Sequence, residues 1–132
     1  DTYCQDSRGA FVSGTYKAWL SIAATSASSS LAHSSIPYRN VDGTLIVNNW
    51  TDLTDGSLQN TVTDISGLTP GGPRFTGTTI AGAPVSPYCQ DWTSSSGLDS
   101  GTVGAGASDS TWTNNGSAPC NTNPSYIYCF EQ

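Results

Sequence analysis

The sequence predicts an α+β domain of short strands, two short helices and long loops. Three observations carry this. GTYKAWLSIA (14–23) and SYIYCFEQ (125–132) alternate at the period of two that a strand with one buried face requires. Between 67 and 87, GLTPGGPRFTGTTIAGAPVSP places glycine and proline too densely for any helix. The four cysteines are even in number and show no C-x-x-C spacing, which fits two disulfides better than a zinc or redox centre.

The elements follow in order. DTYCQDSRGA puts Tyr3, Cys4 and Ala10 near helical spacing with Gly9 as a stop, and predicts a short opening helix. In the next segment Tyr16, Ala18, Leu20 and Ile22 are expected on one face of a strand, with Lys17, Trp19 and Ser21 on the other. ATSASSSLAHSS (24–35) supplies serine N-caps for a second short helix around Leu31 and Ala32. GTLIVNNW (43–50) has a β-branched apolar centre between Asp42-Gly43 and Asn48-Asn49, so a strand entering a turn is expected. Turn chemistry follows at Asp55-Gly56, and only Arg74 to Ile80 could pair as a strand within the glycine- and proline-rich stretch. Tyr126, Tyr128 and Phe130 alternate with Ile127 and Cys129 in a terminal strand.

With 132 residues, no internal repeat and no linker, the chain reads as a single domain over 1–132. Lys, Arg, Asp and Glu make up 11% of it, about half the usual share, and the formal net charge is −6. The four basic residues Arg8, Lys17, Arg39 and Arg74 lie far apart. Nucleic acid and heparin need clustered cations that displace counterions, so neither is an expected partner. No run of 18 apolar residues is present, which excludes membrane insertion by a helix. The opening DTYCQD has no basic start followed by an apolar stretch and reads as a mature or excised chain. Disulfides and a hydroxyl-rich, weakly charged surface point to a secreted or cell-surface location.

SGTYKAWLS (13–21), GTLIVNNWTDLTDG (43–56) and YCQDWTSSSGLDSG (88–101), the last followed by Cys120 and by YIYCFEQ to residue 132, together resemble endostatin and related bacterial surface domains. The resemblance covers nearly the whole chain except the middle loop. It implies a C-type-lectin-like fold: a mixed, mostly antiparallel sheet, two short helices, long loops and adjacent chain ends. It also implies two nested disulfides, Cys4 to Cys129 and Cys89 to Cys120, where the residues alone leave three connectivities open. An outer bridge enclosing nearly the whole chain would be worth on the order of 5 kcal/mol and the inner about 4 in the chain-entropy model. The zinc and heparin binding of endostatin does not carry over, because this chain is acidic and has only His33. TWTNNGSAPC (111–120) resembles the second sugar-site triplet of C-type lectins only loosely, and the first triplet is missing.

Asp99, Asp109, Asn114 and Asn115 are the best local supply of oxygen ligands, and calcium is the one cofactor they could take. Asp and Asn in Gly/Ser loops more often cap their own backbone. Of the four tryptophans, Trp19, Trp50 and Trp92 are expected in the core, and Trp112 is read as an exposed stacking contact for a sugar face. His33 lacks a nucleophile-elbow context, and the carboxylate pairs Asp52 with Asp55 and Asp91 with Glu131 read as turn and surface residues, so no catalytic residue is expected. Asn49-Trp50-Thr51 and Asn115-Gly116-Ser117 match the glycosylation acceptor pattern. The threonine pairs 61/63, 76/78 and 111/113 would each face one side if extended, as solvent-facing positions. The expected function is a non-catalytic extracellular recognition or adhesion module, with Trp112, Asn114, Asn115, Asp99 and Asp109 contacting a glycan or protein on a cell or matrix surface. The alternative is a structural subunit that self-assembles into a filament or coat.

Overall fold

A computed structural model describes residues 2–7, 13–64 and 66–132. Helix α1 (Thr2–Ser7) leads to strand β1 (Tyr16–Ala18), α2 (Ala27–Ser30), β2 (Tyr38–Arg39), β3 (Leu45–Val47) and α3 (Trp50–Leu53). After the glycine- and proline-rich stretch come β4 (Arg74–Phe75), β5 (Ser100–Gly104), a 3-10 turn at Ser110–Trp112, β6 (Ser117–Pro119) and β7 (Cys129–Glu131). Short helices, antiparallel sheets and two disulfides therefore form the mixed architecture that the sequence predicts. Cys4 pairs with Cys129 and Cys89 with Cys120, the nested pairing that the resemblance implies.

Among the described residues the strands form three small sheets: β1 with β7, β2 with β3, and β4-β5-β6. Every strand pair is antiparallel. Glycine, proline and hydroxyl residues keep each strand to between two and five residues, and single backbone hydrogen bonds bridge the sheets. Trp19 N donates to Tyr128 O at 2.9 Å, Ser21 N to Thr76 O at 2.9 Å, and Phe75 N to Tyr126 O at 2.9 Å. The predicted strand around Arg74 to Ile80 is thus only two residues long, continued by an isolated pairing of Thr78 with Pro84.

Local chemistry sets the helices. Ser26 caps α2 by accepting from Ser29 N at 3.0 Å. Asn49 accepts from Asp52 N at 3.0 Å, so the expected turn at Asn48-Asn49 starts a third helix, α3. Gly9 and Ala10, expected at the end of α1, lie outside the described residues. Cys89–Trp92 forms a helical turn of the opposite hand, with φ of 50°, 53°, 54° and 65° along four L-residues. Such a conformation costs roughly 1–2 kcal/mol per residue, so its surroundings must hold it. The Cys89–Cys120 bridge, the Trp92 N bond to Tyr88 O at 2.7 Å and the Trp92 Nε1 bond to Ser21 O at 2.8 Å do so.

The larger core gathers Trp19, Trp112, Val47, Leu53, Tyr128 and Phe130, and the smaller one Phe75, Cys89 and Val103 with Trp92 packed against them. One expectation inverts. Trp19 and Ser21 are buried, while Leu20 and Ile22 are half-buried. The reason is polar: Trp19 Nε1 donates to Thr113 Oγ1 at 2.6 Å, and Ser21 Oγ accepts from Thr78 Oγ1 at 2.9 Å. Thr76, Thr78 and Thr113, expected to face solvent, are each fully buried and extend this network through Thr76 Oγ1 to Thr113 O and Thr113 Oγ1 to Thr78 O.

Candidate functional site

Trp112 cannot serve as an exposed stacking platform, because it is fully buried. It packs on Trp19 at 5.0 Å and Tyr128 at 5.3 Å between ring centroids, and both faces are committed to the core. Gly104 lets the Trp112 backbone approach β5 closely; a Cβ there would lie 1.9 Å from Trp112 O.

The other predicted ligand residues divide between the two ends of β5. Asp99 precedes that strand, beside Cys120, whose N donates to Asp99 O at 3.0 Å, and Asp109 follows it beyond residues 105–108. Asp99 Oδ2 accepts from Gln90 Nε2 at 3.0 Å and from Ser94 Oγ. Asp109 Oδ1 caps the 3-10 turn by accepting from Thr111 N at 2.9 Å and from Thr111 Oγ1, and these bonds hold its carboxyl below the ordinary carboxylate range. Asn114 and Asn115 are exposed near the Asp109 end, where Asn115 N donates to Val103 O at 2.7 Å. Asp99 is therefore not brought together with the other three. Among the described residues no three His, Cys, Asp or Glu side chains cluster as metal ligands.

The remaining polar candidates do local work. His33 stacks on Trp50 at 4.0 Å with an 8° interplanar angle, and its Nε2–H donates to Ser28 O at 2.8 Å. Asp52 accepts from Asn48 N at 2.7 Å and Asp55 from Ser57 N at 2.9 Å, each closing a turn. Asp91 and Glu131 are exposed. Asn49, within the first glycosylation pattern, spends its side chain on the α3 cap, whereas Asn115 in the second is exposed.

A different surface is shaped for a ligand. A cavity of about 240 Å³ opens beside the outer disulfide, walled by Tyr3, Tyr16, Val41, Val62 and Tyr126, with Arg74 on its lining. A broader hollow of about 710 Å³ adjoins it and shares Tyr16, Val41, Val62, Thr63 and Cys129. The outer disulfide positions the groove by tying α1, which carries Tyr3, to β7. Tyr3, Ile36 and Val41 are large apolar side chains left 61%, 69% and 56% exposed, and all three line one hollow or the other. Two polar groups in this region are poorly matched. Arg74 is buried, with 4% exposed, and Thr63 Oγ1 is buried with no hydrogen-bond partner among the described residues. No pattern along the sequence marks this groove, because its walls come from separate parts of the chain; the one local signal is the terminal Tyr126-Ile127-Tyr128-Cys129 run.

The sequence matches no family model and no curated protein.

Proposed function

We propose that this chain is a non-catalytic extracellular recognition module of the endostatin-like, C-type-lectin-like kind, and that its ligand is a segment of a partner protein bound in the groove beside Cys4–Cys129. One observation carries the reading: three exposed apolar side chains, Tyr3, Ile36 and Val41, border two adjoining hollows in a chain whose large aromatics are otherwise mostly packed inward. Ligand sites are concave, largely apolar and furnished with few polar groups, and the smaller cavity has that balance. Val41, Val62 and Ile36 stand beside the tyrosines in these walls, and the tryptophans Trp19 and Trp112, on which a sugar face would stack, are buried, which favours a peptide over a glycan. Two disulfides fit an oxidising compartment.

The test is surface plasmon resonance against immobilised matrix proteins, cell-surface proteins and glycans, with calcium and then with chelator. Val41→Asp and Ile36→Asp change exposed side chains and should leave the melting temperature unaltered. Binding of a protein that falls at least about tenfold in both variants supports the reading. Binding that ignores both variants overturns it. Chelator-sensitive glycan binding would move the site to Asp109, Asn114 and Asn115. Concentration-dependent growth in particle size without any ligand would favour self-assembly.

A further inference from the structure

We infer that this groove, at Arg74, captures a free C-terminal carboxylate, carried by a partner chain whose last residue is apolar or aromatic. The inference rests on the groove being the recognition surface and adds the chemistry of its anchor point.

Arg74 is the reason. Arg74 lines the smaller cavity although only 4% of the residue is exposed. Nη1 donates to Gly72 O at 2.7 Å and Nη2 to Pro70 O at 2.6 Å, both neutral acceptors. A guanidinium carries five N–H donors, so several remain unused. Among the described residues no carboxylate pairs with it. A buried charge is costly unless an opposite charge meets it, and a carboxylate matches the planar guanidinium in bidentate fashion. The counter-ion missing from the fold is therefore what a ligand can bring. Thr63, in the wall common to both hollows, is a second polar residue there, and its buried Oγ1 has no hydrogen-bond partner among the described residues.

The surrounding charges limit the anion to a single negative charge. Asp64 also lines the cavity, its Oδ1 held in its own turn by Ser66 and Leu68, and the whole chain carries −6. A phosphate or sulfated glycan would meet that repulsion in full, and a monocarboxylate meets least of it. Size and lining settle the rest. A cavity of about 150 Å³ holds benzene, so 240 Å³ accommodates one apolar or aromatic side chain with its carboxylate. The adjoining hollow of about 710 Å³ offers room for the residues before it. Capture of a chain terminus is a recurring mode of peptide recognition.

The experiment titrates the isotope-labelled 132-residue chain, both disulfides formed, with acetyl-Gly-Gly-Phe as the free acid, with the same peptide as its C-terminal amide, and with 3-phenylpropionate. The acid should bind at least about tenfold more tightly than the amide, with amide shifts centred on Val62, Thr63, Arg74 and Tyr126. Arg74→Gln should erase the difference between acid and amide. Tyr3→Ala, at an exposed position, should weaken the acid while the melting temperature holds, so the result does not depend on Arg74→Gln folding. Equal binding of acid and amide overturns the carboxylate inference and leaves the groove reading standing. Phenylpropionate binding as tightly as the tripeptide overturns the chain-end assignment. No binding of any probe overturns the inference, and the Val41→Asp comparison then decides the groove reading separately.

Discussion

Trp19 Nε1 donates to Thr113 Oγ1 at 2.6 Å, joining residues 94 positions apart at the centre of the fold. The same hydroxyl donates to Thr78 O at 3.0 Å, so one threonine satisfies both an indole and a carbonyl in a site without solvent. Thr113→Val keeps the shape and strands both partners. It should cost about 2–3 kcal/mol in urea unfolding, and Thr113→Ser about 1.

Two tryptophans in contact should respond differently to the same change. Trp112 Nε1 is buried with no partner among the described residues, whereas Trp19 Nε1 is satisfied. Trp19→Phe leaves Thr113 Oγ1 without its donor, and Trp112→Phe removes a donor that was never paired. The first should be more destabilising by about 1–2 kcal/mol, measured by denaturant midpoint at a common slope.

These threonines show where the sequence stops being legible. Thr76, Thr78 and Thr113 suit a solvent-facing strand as well as a buried network, and only the positions of Trp19 and Ser21 decide between them. The terminal strand could be read from its alternation, and a serine cap announced the second helix, although that helix runs over Ala27–Ser30 and ends before Leu31 and Ala32. Asn49 three residues before Asp52 was also a legible cap, and α3 could have been found from it. The candidate groove was not legible: Tyr3, Val41, Arg74 and Tyr126 come from four distant segments, and no pattern along the chain links them.

Close approach of backbone to backbone at β5 predicts a steep response at one glycine. In Gly104→Ala the new methyl would meet Trp112 O and the Trp112 carbonyl carbon, neither of which can swing aside. A loss of at least about 2 kcal/mol is expected. Gly71→Ala faces open space and should stay within about 0.5 kcal/mol.

Stability should fall at both ends of the pH scale for separate reasons. Hydrogen bonds hold three carboxyls below their ordinary range: the Thr44 amide on Asp42, the Ser66 hydroxyl on Asp64 and the Thr111 hydroxyl on Asp109. A depressed folded-state value stabilises the fold above the unfolded value near 4 and is lost as pH falls through the folded one. Replacing all three by Ala should flatten the acid limb of melting temperature against pH. Tyr128 works in the opposite sense. Burial pushes its hydroxyl up to about 12, with the Arg74 charge opposing, so its contribution is complete below pH 10 and lost as pH rises through about 12. Tyr128→Phe should flatten the alkaline limb, while costing stability at neutral pH through loss of the bonds to Ala105 O and Trp112 O.

The outer disulfide should dominate covalent stabilisation. Cys4 and Cys129 close a separation of 125 residues against 31 for Cys89 and Cys120. Replacing Cys4 and Cys129 together by Ala should cost about 2–5 kcal/mol. An unchanged melting temperature would show that the denatured chain gains nothing from losing the bridge.

That bridge also fixes how the domain carries tension. A pull applied on the two sides of the pair, before Cys4 and after Cys129, runs through one sulfur–sulfur bond between Cα atoms 5.5 Å apart. The 124 residues between them bear none of the load. With the inner bridge intact they would release roughly 300 Å of slack when extended, and the outer crosslink withholds all of it until it is reduced. Pulled at these two points, the fold is an inextensible link for as long as the outer bridge stays oxidised.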